Sequence, residues 1–292
     1  MLPQPIHQSV INYLNKTGSA KAEILSAYPL SGGSINDAFQ IETNKGNFFL
    51  KYNNASKYPE MFGKEAKGLS LLRDAGEIDV PEVLHNSEAG QDAFLLLEYI
   101  GSSGQATDFW EDFGKSLAAL HGHHNQRFGL DHDNYMGSLY QNNNFHDGWA
   151  GFFIEERLER QVKLARENGA IGRGLVSGFE RLYRRLEEIF PETAPSLIHG
   201  DLWSGNFMVN AKGRACLIDP AVYWGHPEID IAMTTLFGGF NSRFYEAYNR
   251  HNPLEKGWQN RLDIYNLYPL MVHVNLFGGG YLASVERVIG RF

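Results

Sequence analysis

Three side chains in the second half of the chain have the types and spacing to move a phosphoryl group. His199-Gly200-Asp201 is followed by Asn206, giving H-G-D-x-x-x-x-N, and Asp219 comes after one further short apolar stretch. An aspartate can take the proton of an attacking hydroxyl. An asparagine oxygen and a second carboxylate are hard donors of the kind Mg²⁺ prefers, and Mg²⁺ held by few protein ligands keeps positions for phosphate oxygens. Asp201 fits the base, and Asn206 and Asp219 fit the metal ligands, in the order that phosphotransferase loops use.

The surrounding sequence must supply elements that hold these groups. Phe207 to Asn210 and Ala215 to Ile218 are strand-prone runs flanking Lys212-Gly213. The spacing predicts a hairpin that sets Asn206 level with Asp219, their side chains on one face with β-carbons roughly 5 Å apart. Ser196 to Ile198 reads as a strand leading into the loop. Asp230, in the Gly225-His226-Pro227-Glu228-Ile229-Asp230 helix opening, has two readings: with Glu228 it complements the helix dipole, or it reaches back and braces the loop, where His199 is a second supporting residue.

The first hundred residues read as a strand-rich unit interrupted by a helix. Val10 to Leu14 suggest a short leading helix, and Ala38 to Glu42 and Phe48 to Tyr52 pair across Asn44-Lys45-Gly46. A helix runs from about Pro59 to Asp74, with Phe62, Ala66 and Leu69 as its apolar stripe. Glu65 falls within that stripe and needs a partner, and Lys51 at the end of a strand is the natural one. Such a pair positions lysine on nucleotide phosphates, while the plainer reading leaves Lys51 at a solvent-facing strand end. Gly32-Gly33, ahead of Ala38, is a weak glycine motif whose backbone N–H groups can approach phosphate. Ala93 to Glu98 is a further strand, and the backbone of Glu98, Tyr99 and Ile100 is the expected adenine contact. The glycine-serine stretch from Gly101 to Gly104 marks the boundary between a nucleotide-binding lobe, 1–100, and a catalytic, substrate-binding lobe, 101–292.

Beyond that boundary the pattern is helical: Trp110, Phe113, Leu117 and Leu120 share a stripe, and 152–165 and 175–189 show comparable spacing. His121, His123 and His124 fit a helix end better than a metal cluster, and Gly172-Arg173-Gly174 reads as a joint between two helices. The chain has 292 residues, 43% of them hydrophobic, enough for one large domain or two lobes. A formal charge of -8 argues against nucleic acid or anionic membrane as a partner. The single cysteine, Cys216, lies in an apolar run and is expected to be a buried, inert thiol. No signal-peptide pattern opens the chain and the apolar stretch from Tyr268 to Ala283 is broken by His273, Asn275 and glycines, so a cytoplasmic protein, monomeric by expectation, is the reading.

Taken together, His199-Gly200-Asp201-Leu202-Trp203-Ser204-Gly205-Asn206, Ile218-Asp219-Pro220-Ala221 and 225–230 resemble the fructosamine kinase family. That family lies within the aminoglycoside phosphotransferase and choline kinase branch of the protein-kinase-like superfamily. Phe128-Gly129, Asp133-Asn134, Gly137, Gln141, Asn143, Trp149, Phe152-Phe153, Arg157-Leu158 and Gln161 extend the resemblance over nearly the full chain. It implies an α+β, two-lobe protein-kinase-like fold, with an antiparallel sheet and one main helix in the first lobe and a larger helical second lobe. It further implies ATP- and Mg²⁺-dependent phosphorylation of the sugar 3-hydroxyl of a ketosamine, free or on a glycated protein lysine, which makes the adduct labile and serves deglycation. By position, Asp201 is the base, Asn206 and Asp219 hold metal, Lys51 meets phosphate and Glu65 anchors it. Trp203 offers its indole face to the sugar, or packs in the core. The rivals are a kinase of an aminoglycoside, a choline-like alcohol or a thiosugar, and a catalytically silent nucleotide-binding relative. Asp-Pro-Ala in place of Asp-Phe-Gly gives no ground for activation-segment switching.

Overall fold

The computed structural model describes residues 2–17, 20–30 and 35–292, which form two compact units. The first comprises Met1–Ala106 and Met208–Ile218. Its sheet has five strands: β1 (Ile24–Leu30), β2 (Asp37–Thr43), β3 (Gly46–Asn54), β4 (Val83–Ala89) and β5 (Asp92–Glu98), in the order β1-β2-β3-β5-β4. All four pairings are antiparallel. Leu50 and Leu96, opposite one another, face a core with Phe39, Ile41 and Phe94, and helix α1 (Gln4–Lys16) closes it with Ile6, Val10 and Leu14. α1 is longer than its apolar residues suggest. Pro5 opens its first turn, where a missing N–H costs no hydrogen bond, and the residues between Ile6 and Val10 are polar because they face outward.

Helix α2 (Met61–Ala75) buries Met61, Phe62, Ala66, Leu69 and Leu72. It ends where Gly76 takes a left-handed φ of 75° and its N–H donates to the Arg73 carbonyl. The later hairpin segment packs with this unit. The Leu217 N–H donates to the Asp79 carbonyl (2.8 Å), Asn210 Nδ2 to Asp79 Oδ2 (2.6 Å), and Ser103 Oγ to the Asn210 carbonyl (2.7 Å).

The second unit, Thr107–Phe207 with Asp219–Phe292, is mainly helical. It contains α3 (Phe109–Leu120) and one long helical run: α4 (Trp149–Phe152), a π-helical turn Phe153–Leu158 and α5 (Glu159–Glu167). Next come α6 (Arg173–Tyr183), α7 (Leu186–Ile189), α8 (Glu228–Met233), α9 (Ser242–His251), α10 (Trp258–Tyr265), α11 (Leu267–Phe277) and α12 (Leu282–Ile289). Short strands lie between them: β6 (Asn134–Met136) pairs with β7 (Leu139–Gln141), and β8 (Ser196–Ile198) with a strand at Tyr223–Gly225. α3 meets α9 closely because position 114 is glycine; a β-carbon there would stand 2.2 Å from the Phe244 carbonyl oxygen. Phe109, Phe113, Phe240 and Phe244 fill the seam. Glu228, rather than only complementing the α8 dipole, forms a two-pronged ion pair with Arg261 of α10, its side chain 1% exposed. Among the described residues no helix is long and apolar enough to cross a membrane.

Cys216 lies fully buried, and burial first, then the charges of Asp79 and Glu98, push its thiol up to about 12. A thiol reagent is therefore expected to find no reactive group in the native protein and one equivalent in denaturant. Full, rapid labelling of the folded chain, followed by absorbance, would contradict this packing.

Candidate functional site

Lys51 enters from β3, level with Ala38 of β2 and Leu95 of β5, and only 5% of it is exposed. Its Nζ stands 2.7 Å from Oε1 of Glu65 on α2, whose side chain is itself largely buried. Desolvating two charges is costly, and their attraction repays that cost only in good geometry, so a pair kept here calls for a use beyond stability. Glu98 ends β5. Its N–H already donates to the Glu82 carbonyl (2.9 Å) and its carboxylate accepts the Glu82 N–H (3.2 Å). A cavity of about 520 Å³ opens on 98–101, walled also by Arg73, Asp79, Asn210, Lys212 and Cys216; Lys51 and Glu65 do not line it. Gly32 and Gly33 lie outside the described residues.

In the second unit, the loop after β8 is held by its backbone. The Asp230 carboxylate, fully buried, accepts the His199 N–H on Oδ2 (2.7 Å) and the Gly200 N–H on Oδ1 (2.9 Å). His121 Nε2 stands 3.2 Å from the same Oδ2, and its Nδ1 is 2.8 Å from the Tyr248 hydroxyl. Burial alone would push the Asp230 carboxyl up. The His121 hydrogen bond and charge, with the His199 ring and the Gly200 N–H, outweigh it and hold the group below its ordinary value. Position 200 must be glycine: φ is +83°, and a β-carbon would lie 2.2 Å from the Ala221 carbonyl oxygen. The His199 ring then accepts the Asp201 N–H on Nδ1 (3.2 Å).

Asn206 Nδ2 donates to both the Asp201 carbonyl (2.8 Å) and Asp201 Oδ2 (2.9 Å). With its amide nitrogen committed, its Oδ1 is the atom offered to a cation. Burial raises the Asp201 carboxyl well above its ordinary value; the Asn206 bond opposes this, and the charges of Asp219 and Asp230 add to it. The Asp219 charge acts on Asp201, and an Asn206 amide oxygen with the Asp219 carboxylate makes a set of hard oxygen donors of the kind that suits Mg²⁺. Trp203 is placed by Gly205, where a β-carbon would collide with the indole at 2.3 Å.

The hairpin after Asn206 forms with one difference. The Asn210 N–H donates to the Arg214 carbonyl and the Gly213 N–H to the Asn210 carbonyl, so the loop has three residues and Gly213, at φ +74°, is a bulge. Asn206 lies four residues before this closing pair and Asp219 five after it, not at equal distances. Asp219 itself has φ +53°, a left-handed conformation uncommon for a residue with a side chain.

Residues that periodicity could not single out form the support for the Asp219 side. Asn134 Nδ2 donates to the Val222 carbonyl (2.8 Å), and Gln141 Nε2 to the Ala221 carbonyl (3.1 Å) and Asn134 Oδ1 (2.7 Å). The Tyr268 hydroxyl donates to Gln141 Oε1 (2.6 Å). Behind them Arg157, fully buried, donates to Asn143 Oδ1 (2.7 Å) and stacks 4.0 Å over the Tyr223 ring. The signal available in sequence was the concentration of amides between Asn134 and Asn143.

The family model described as Fructosamine kinase matches residues 6–292. A probable ketoamine kinase of Vibrio parahaemolyticus is 39% identical over 288 residues, covering 97% of this chain and 98% of that protein. The crystal structure of a candidate fructosamine-3-kinase from Haemophilus somnus 129PT superposes with a TM-score of 0.90 at 31% identity, covering 99% and 98% of the two chains. An aminoglycoside phosphotransferase solved with AMP-PNP and hygromycin B aligns over 97% of this chain and 98% of its own, with a TM-score of 0.62 at 16% identity, which shows a shared protein-kinase-like fold.

Removing the Asp230 carboxylate strands two buried N–H groups. Asp230→Ala is expected to cost about 3–5 kcal/mol in a denaturant titration. A loss below about 1 kcal/mol would show that the loop does not depend on this carboxylate.

Proposed function

The chain belongs to the fructosamine kinase family, and from that premise we propose that it transfers the γ-phosphoryl group of ATP to the 3-hydroxyl of ketosamines, the rearranged adducts of sugars with amines. The observation that carries this reading is the Asp201–Asn206 contact on a loop whose preceding N–H groups are fixed by Asp230. Asp201 accepts the proton as the sugar oxygen bonds to phosphorus, and the bond from phosphorus to the ADP oxygen breaks in line. Its fitness as a base rests on position, its carboxylate held by the Asn206 amide. Asn206 Oδ1 and Asp219 would hold Mg²⁺, which supplies charge neutralisation on the phosphates. Lys51, held by Glu65, presents its ammonium to phosphate oxygens, and Trp203 lays its indole against sugar C–H bonds. Tyr99 and Ile100 offer main-chain groups to the adenine. Most of the acceleration then comes from placement and electrostatics. A phosphate on C3 departs more readily than a hydroxyl, which supports a role in removing sugars from amines.

Incubation with ATP, Mg²⁺ and a panel of ketosamines, read by mass spectrometry and phosphorus NMR, is expected to give a 3-O-phosphate. A clear preference for an aminoglycoside, a choline-like alcohol or a thiosugar would overturn the acceptor. In steady-state kinetics, Asp201→Asn is expected to lower kcat by about 10²-fold or more. Near-normal turnover would remove Asp201 from the base role.

A further inference from the structure

Phe237 has φ +55°, a left-handed backbone that a bulky residue rarely adopts, and 41% of it is exposed. Its ring stands edge-on to Trp203, centroids 5.6 Å apart. It also lies 5.0 Å from the His273 ring and 6.3 Å, perpendicular, from Tyr281, while His273 is 4.8 Å from Tyr281 and 5.5 Å from Phe277. Phe277 is 54% exposed. The turn after α8, the helix α11 and the turn that follows it thus form an aromatic surface adjoining Trp203 of the Asp201 loop, within one unit of the structure. Strained backbone holding an apolar ring at the surface is better explained by a ligand than by packing.

The chemistry of the surface narrows the ligand. These side chains carry no fixed cation, and their ring faces are electron-rich. His273 Nδ1 donates to the Pro269 carbonyl (2.7 Å), which leaves Nε2 as the acceptor nitrogen. Burial holds this imidazole below its ordinary pKa, so at neutral pH it does not repel a positive charge. A ketosamine differs from a plain ketose by the nitrogen on C1, a secondary ammonium at neutral pH, which bond lengths keep within about 5 Å of the 3-oxygen.

We propose that Phe237, His273 and Tyr281, adjoining Trp203, form the subsite for the C1 ammonium and the first carbons of the amine-derived group, with His273 Nε2 accepting an ammonium N–H. This rests on the ketosamine reading above and deepens it. The subsite selects ketosamines over neutral ketoses.

The test compares a 1-alkylamino ketose with its neutral isostere, the 1-O-alkyl ketose, as substrate or competitive inhibitor of the full-length enzyme. The wild type is expected to favour the amine at least about tenfold in KM or Ki, and Phe237→Leu to collapse that ratio toward one while Phe237→Tyr preserves it. Because the ratio is measured within each folded variant, loss of active protein does not imitate the effect. A wild-type ratio near one, or a ratio unchanged in Phe237→Leu and Tyr281→Leu, overturns the subsite while ketosamine phosphorylation stands. A wild type that phosphorylates no ketosamine removes the functional reading, and this proposal with it.

Discussion

A buried carboxylate that cannot be left alone organises the second unit. Asp230 is removed from water, and an isolated charge there would be prohibitive. Two loop N–H groups and the His121 imidazole compensate it, and each compensating contact fixes part of the chain. His199 and Gly200 are pinned, the glycine passes beneath Ala221 where no side chain fits, and the next residue is Asp201. A charge that must be satisfied becomes a positional constraint on Asp201, the proposed base.

The same logic recurs in the first unit and in the core. Lys51 and Glu65 are held together away from water, and Arg157 is shared between carbonyl oxygens and aromatic faces. None of these arrangements is the cheapest way to fill its space, since apolar residues of similar size pack at least as stably. Their common consequence is orientation: a lysine ammonium held by Glu65, and the segment after Asp219 held by Asn134 and Gln141.

Much of the fold was legible because local patterns agreed with it. Alternating apolar residues around Asn44-Lys45-Gly46 marked a hairpin, and a 3.6-residue stripe marked α2 and α3. What escaped was set by long-range contact. The hydrogen-bond partners of the Asp230 carboxylate lie 30 to 109 residues away in sequence, so its two readings could not be separated from composition. Gly213 could close a two-residue or a bulged three-residue loop, and only the packing of that hairpin decides. Arg157 looks like an outward-facing charge in any periodicity plot, yet it is fully buried. Phe237 carries no pattern at all, because its exposure follows from a left-handed backbone between neighbours that share no sequence signal.

The account depends most on Asn206 and Asp219 acting as one cation site beside the base. The direct measurement is a crystal structure of the protein with Mg²⁺ and a non-hydrolysable ATP analogue. The account predicts Asn206 Oδ1 and an Asp219 carboxylate oxygen at about 2.0–2.1 Å from the ion, with phosphate oxygens completing its shell. An ion ligated elsewhere, with either of these side chains outside its coordination sphere, would contradict it.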